Sequence, residues 1–290
     1  MDSRRKFLRG LAQTAAGARR PESRPRSEGA AEAAPRPPEA DPARERGPAP
    51  EHRHSEALAD PEWGADAQNR IAAASVLVLG AGGLASPVAA YLAGAGVGRL
   101  GVVDDGAVEL PQLHAQHLHF TPDLGVPRAH SAAAKLAFLN PEIVVEPYQA
   151  AVGAENAAAL MAGQDLVVDC TDDAGVRQVV NAACCAAGVA LLSADVGRRG
   201  AALWFVEPGR TACLHCAGVG TDAAAAAEAS ALVGPVFGTV GSLQALIALE
   251  ALAGRPPSAP RSGVAINLDR WELRELSATR RPDCPACGDR

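Results

Sequence analysis

From Ser75 onward the apolar and polar positions follow two alternating rhythms. Short, mostly apolar runs at Val76–Leu79, Arg99–Val103, Ile143–Pro147, Leu166–Asp169 and Val189–Ser193 have the length and β-branched content of buried strands. Between them, helical spacing covers Gly83 to about Ala95, Pro127 to Asn140, Ala154 to Ala162, and a stretch from Asp172 or Asp173 to about Ala187. Pro127 suits a first helical turn, and Pro141 helps to end the same helix. Strands alternating with helices predict a mainly parallel sheet covered by helices on both faces. After Arg198-Arg199-Gly200 the rhythm changes. Ala201–Val206 reads as a strand pairing antiparallel, Pro208-Gly209 as a turn, and Gly234–Ala253 as a long helix, with two more strands near Val264–Leu268 and Trp271–Leu276. The expected fold class is therefore α/β, with antiparallel C-terminal strands.

Upstream the pattern is different. Residues 1–61 are rich in Pro, Arg, Glu and Ala and hold one aromatic before residue 60, Phe7, too little apolar surface to offset chain entropy. They read as a disordered tail, and 62–290 as one folded domain. Ser3-Arg4-Arg5-Lys6-Phe7 resembles the start of a twin-arginine export signal. Its apolar continuation is broken by Arg9, Gly10 and Gln13, so the reading favours a cytoplasmic protein with a basic tail.

Overall composition narrows the partners. A net charge of -6 is the wrong sign for holding nucleic-acid phosphates across the body of the chain. No apolar run reaches about 20 residues, so no membrane span is expected.

Three constellations carry candidate chemistry. Gly80-Ala81-Gly82-Gly83-Leu84-Ala85 comes after a strand and opens a helix, the form of a turn that brings backbone close to phosphate. Asp104, at the end of the next strand, stands where a carboxylate takes ribose hydroxyls. Asp169-Cys170-Thr171-Asp172-Asp173 comes after a buried strand and reaches the same sheet edge; one acid there serves as helix cap, and Asp172 is the better candidate for Mg2+ or a phosphate chain. Cys213-Leu214-His215-Cys216 and Cys284-Pro285-Ala286-Cys287 are two C-x-x-C knuckles, enough thiolates for a closed structural Zn2+ site. Cys184 and Cys185 read as buried apolar residues. His114, His117 and His119 read as solvent-facing or nucleotide-proximal rather than as a metal cluster.

The order of these motifs resembles the HesA/MoeB/ThiF family, the prokaryotic relatives of ubiquitin-activating enzymes. The matching pieces are Gly80 to Leu84, Asp104, Asp169 to Arg177, Cys213 to Cys216, Gly241 to Gln244 and Cys284 to Gly288. The resemblance implies a Rossmann-like fold, a homodimer, and ATP-dependent adenylation of the C-terminal glycine of a ubiquitin-like sulfur carrier ending in Gly-Gly. It implies that Gly80, Gly82, Gly83, Leu84, Asp104, Gln112, Arg128 and Asp172 bind ATP and Mg2+, and that Asp172 and Arg128 serve the catalytic step.

The chain departs from the family pattern at several positions. The family's N-L-x-R-Q is here Gln112-Leu113-His114-Ala115-Gln116, with Ala115 in place of a phosphate-neutralising arginine. Arg128 stands for the usual lysine, Gly106 for a second acid, Ala227 for the cysteine of sulfur-transferring members, and Gln68-Asn69-Arg70 is the nearest remnant of an upstream R-Y-x-R-Q. Two alternatives therefore stay open at this point: a member that binds a nucleotide or carrier without adenylating, and an NAD(P)-dependent oxidoreductase, which leaves both knuckles and the Asp169–Asp173 cluster without a role.

Overall fold

A computed structural model describes residues 53–60, 63–198, 200–219, 233–255 and 263–288. Most of the tail, Arg199, the alanine tract and Ala227 lie outside the described residues. The described helices are α1 (Ser55–Ala59), α2 (Gly64–Ala73), α3 (Ala85–Gly94), α4 (Arg128–Leu139), α5 (Ala157–Met161), α6 (Ala174–Ala187) and α7 (Gly234–Leu252). The strands are β1 (Ser75–Leu79), β2 (Arg99–Val103), β3 (Val144–Tyr148), β4 (Leu166–Asp169), β5 (Ala190–Gly197), β6 (Gly200–Val206), β7 (Gly263–Asn267) and β8 (Glu272–Leu276).

They form one sheet in the order β3-β2-β1-β4-β5-β6-β7-β8. The first five are parallel and the last three join antiparallel, as the change of rhythm after Gly200 predicts. Strand order reverses between β1 and β4, so a crevice opens at their carboxyl ends, where open α/β sheets take ligands.

The alternation of side chains along β1 divides the core. Val76 and Val78 point into a cluster with Ile71 of α2, Val88 and Leu92 of α3, Leu136 of α4 and Val240 of α7. Leu77 and Leu79 point the other way, onto Leu160 and Met161 of α5, Val180 and Cys184 of α6, and the cysteine knuckles. Helices thus cover both faces, and the knuckles belong to the second one.

Helix α7 bears on the expectation of no membrane span. It has 19 residues and is apolar enough to cross a bilayer by length and composition. Val240, Ala245, Ile247 and Ala248 are buried against the domain, so part of that apolar surface serves the core. Gly241 allows the close approach: a Cβ there would lie 2.6 Å from the Leu84 carbonyl oxygen. Gln244 then donates to the carbonyls of Asp169 (3.0 Å) and Leu192 (3.3 Å), tying α7 to the ends of β4 and β5.

The N-terminal boundary differs from the expected residue 62. Ser55–Ala59 is helical, His54 is buried over Gly96, and Arg53 donates to the Leu139 carbonyl at 3.2 Å. Helix α2 is likewise not legible as a separate element, since its buried face is only Ala67, Gln68 and Ile71. Two polar side chains anchor it instead: Gln68 donates to the Ala95 carbonyl and Arg70 to that of Ala253.

Candidate functional site

The glycine turn connects β1 to α3. Gly80 adopts φ +91, a left-handed conformation that disfavours a side chain, and a Cβ on it would lie 3.2 Å from the Cys170 carbonyl oxygen. The turn is therefore pressed against the loop after β4, across the point where strand order reverses. Leu84 is buried, with its side chain and carbonyl beside Gly241 of α7. Helix α3 has no side-chain N-cap, and the N–H groups of Gly82, Gly83 and Leu84 bond to nothing among the described residues. Free amides at a helix N-terminus form an anion cradle.

Asp104 lies just past β2 beneath this cradle and is buried. Its Oδ2 accepts from the Ala81 N–H at 2.8 Å; its Oδ1 accepts from the Gly106 N–H and from Arg128 Nε, both at 2.8 Å. Arg128 also donates to Gln112 Oε1 at 3.0 Å, and Gln116 Nε2 donates to the same oxygen. Gln112, Arg128 and Asp104 thus form one bracket beside the turn.

Gly106 explains how arginine fits there. A Cβ on Gly106 would overlap Arg128 Nη2, so the larger guanidinium occupies space that a side chain at 106 would fill. Gly106→Ala is expected to break the Arg128–Asp104 pair and lower stability by about 1–3 kcal/mol. Adding Arg128→Lys should recover part of that loss, a coupling that a double-mutant cycle on thermal unfolding measures; simple additivity would contradict the steric account.

The acids after β4 separate by role. Asp169 is fully buried, accepting from Thr171 Oγ1 at 2.6 Å and Ser193 Oγ at 2.8 Å, and pairing with Arg177 Nε at 3.2 Å. Arg177 also donates to the carbonyls of Thr171 and Ala194, so the Asp169–Arg177 spacing encodes a core network rather than a ligand site. Asp173 is the N-cap of α6, accepting from Gly175 N at 2.7 Å and Val176 N at 2.9 Å. Asp172 is exposed and bonds to no described residue. The carboxylate singled out for Mg2+ or phosphate is the one the fold leaves available.

Ala115 lies on the other side of the turn. Its methyl is 3.3 Å from where a Gly83 Cβ would be, and the Phe237 ring of α7 is 3.0 Å from the same point. Ala115 and Phe237 thus both crowd the position a Gly83 side chain would take. His114 is exposed with Nδ1 on the Pro111 carbonyl, whereas His119 is buried against the Ala81 carbonyl of the glycine turn, so of its two readings solvent-facing does not hold. Burial pushes the Cys170 thiol well up from its ordinary value, and its sulfur lies on Gln244 Oε1.

The four knuckle sulfurs lie within 4.8 Å of one another, with Cys213–Cys284 at 3.7 Å and Cys216–Cys287 at 3.6 Å. Tetrahedral coordination with bonds of ~2.3 Å places sulfurs about 3.8 Å apart, so the donor set fits a Zn2+ ion. The Arg281 N–H points at Cys216 Sγ at 3.4 Å, the kind of outer contact that steadies a thiolate ligand. Cys213, Cys284 and Cys287 are buried and Cys216 is half-buried, and four thiolates are the donor set of closed, structural sites.

Sequence reading missed Phe237. Gly106 stood out only as a missing acid, and the loop position of His119 carries no signal of its burial.

Comparison with known proteins agrees with this geometry. The chain is 40% identical over 242 residues to the adenylyltransferase and sulfurtransferase MOCS3 of Sus scrofa, covering 82% of this chain and 53% of that one. It is 37% identical over 228 residues to the molybdopterin-synthase adenylyltransferase of Escherichia coli (strain K12), covering 77% and 90%. The SAMP-activating enzyme E1 of Haloferax volcanii is 35% identical over 247 residues, covering 82% and 88%. The chain thus spans about half the length of its MOCS3 relatives. Among solved structures, that of E. coli MccB superposes with a TM-score of 0.74 over 84% of this chain and 74% of that chain, at 23% identity, and shares the fold. The sequence profile of the ThiF family matches residues 54–286, most of the described structure, and the chain belongs to that family.

Proposed function

We propose that this chain is an ATP-dependent adenylyltransferase acting on the C-terminal glycine of a ubiquitin-like sulfur carrier. The observation that carries the reading is the pairing, at the carboxyl ends of β1 and β4, of an amide cradle and an exposed Asp172 that both lack partners among the described residues. A carrier carboxylate oxygen attacks the α-phosphorus of ATP, the bond to the bridging oxygen breaks, and pyrophosphate leaves with the electron pair. The product is an acyl adenylate.

The protein's part is to hold charge and line up two anions. Gly82, Gly83 and Leu84 amides take phosphate oxygens, Asp104 takes ribose hydroxyls, and Gln112 and Asp104 hold Arg128 toward the phosphates. Asp172 would hold Mg2+, which supplies charge neutralisation for the triphosphate. Relatives named as molybdopterin-synthase, ThiS and SAMP-activating enzymes support a carrier of this type. Zn2+ on Cys213, Cys216, Cys284 and Cys287 is read as a structural staple, and a cytoplasmic homodimer as the working form. Carrier-dependent exchange of pyrophosphate into ATP is the experiment that tests the proposal.

A second reading, nucleotide or carrier binding without turnover, is favoured by one observation. Ala115, beside the glycine turn, supplies no cation where the family pattern has an arginine. ATP binding with no exchange would support that reading.

A further inference from the structure

Among the residues the proposed function leaves unused, His119 makes the most specific contacts. It is 3% exposed, with Nε2 on the Ala81 carbonyl oxygen at 2.8 Å and Nδ1 on Ser131 Oγ at 2.9 Å. Ser131 in turn accepts from Lys135 Nζ at 3.2 Å, and Lys135 is paired with Asp123. A carbonyl oxygen only accepts, so Nε2 must carry a hydrogen. Burial pushes the imidazole below its ordinary value, with Asp123, Lys135 and Arg128 the charged groups facing it. With the ring neutral, Nδ1 is bare and can accept from Ser131 Oγ, which accepts from Lys135 and also lies beside the Asp123 carboxylate.

The consequence lies in the planarity of the peptide. The Ala81 carbonyl and the Gly82 N–H belong to one trans peptide unit and point in opposite directions. Pulling the carbonyl toward His119 therefore aims the Gly82 N–H away from it, and that N–H bonds to nothing among the described residues. The preceding peptide is fixed separately, by the Ala81 N–H on Asp104. Glycines on both sides of Ala81 leave the Ala81–Gly82 peptide little local resistance to flipping.

We propose that His119 is a positioning residue that orients the Gly82 amide as a donor to nucleotide phosphate. The proposal rests on the nucleotide reading above, and its test separates the two. His119→Phe, which removes the donor, should weaken ATP binding about tenfold or more by calorimetry; His119→Gln, which keeps a donor near the Nε2 position, should stay within about threefold. Long-range proton–nitrogen spectra of the full chain should show His119 as the neutral Nε2–H tautomer, held by the Ala81 carbonyl and so kept in Ser131→Ala. The Gly82 amide should shift on ATP addition in the wild type and the glutamine variant but not in the phenylalanine variant.

A folded phenylalanine variant with wild-type affinity, or an Nδ1–H tautomer in the wild type, would overturn the proposal. If His119→Phe does not fold, the wild-type tautomer and the Gly82 amide shift in the wild type and the glutamine variant decide it. If the wild type binds no ATP, the nucleotide reading fails, and the proposal falls with it whatever tautomer His119 shows.

Discussion

Replacing Asp172 with alanine is expected to lower carrier-dependent ATP–pyrophosphate exchange by roughly 10²-fold or more while leaving the unfolding temperature unchanged. The expectation comes from how the fold uses its neighbours. Asp169 is consumed by Thr171, Ser193 and Arg177, and Asp173 by the first amides of α6, so each is a structural acid. Asp172 has no such contacts and stands at the crevice between β1 and β4. Removing it therefore costs the folded state little, whereas it deletes the charge available to the triphosphate and its metal. Asp173→Ala is the control: loss of a cap costs about 1 kcal/mol of stability, with exchange nearly intact. If Asp172→Ala retained full exchange, the carboxylate would have no part in the chemistry.

Stripping the metal should have the largest effect on stability. Purified chain is expected to hold about one zinc per molecule, and Cys284→Ser with Cys287→Ser to release it and lower stability by several kcal/mol or more, since the energy of a structural site is folding energy. The four sulfurs join the loop after β6 to the segment after β8, and Cys213, Leu214, Cys284 and Cys287 are part of the core on one face of the sheet. Without an ion to join them, the two knuckles would have only sulfur contacts holding them together across a largely buried space, and that face would open. Metal analysis with thermal unfolding checks this; a metal-free chain of undiminished stability would contradict it.

How much of the fold is legible in the sequence depends on the strength of each local signal. The five parallel strands announce themselves by apolar runs, and the glycine turn by a strand leading into it. The knuckles are readable because thiol spacing has few other uses. The N-terminal helices are not, because α1 buries no residue within its span and α2 is held by Gln68 and Arg70, whose polar character hides a structural role. The Asp169-to-Arg177 spacing is legible as a motif but not as a core network, since burial of both ends depends on how β4, β5 and α6 meet. Gly106 and Arg128 read singly as two departures. Together they are one exchange of volume, visible only when the missing Cβ and the guanidinium are placed side by side.

The same limit applies to Ala115. Its loss of charge is plain in the sequence, but that Phe237, far along the chain, crowds the same Gly83 position is not. Whether the bracket of Gln112, Arg128 and Asp104 carries enough positive charge for turnover is therefore a question about activity rather than about fold.

The most direct measurement is ATP–pyrophosphate exchange by the wild-type chain with a purified ubiquitin-like carrier ending in Gly-Gly, taken from the same genome. The expected result is exchange that requires both Mg2+ and the carrier and disappears when the carrier's terminal glycine is deleted. Tight ATP binding with no exchange in the presence of any such carrier would contradict adenylation and leave a binding protein built on the same cradle.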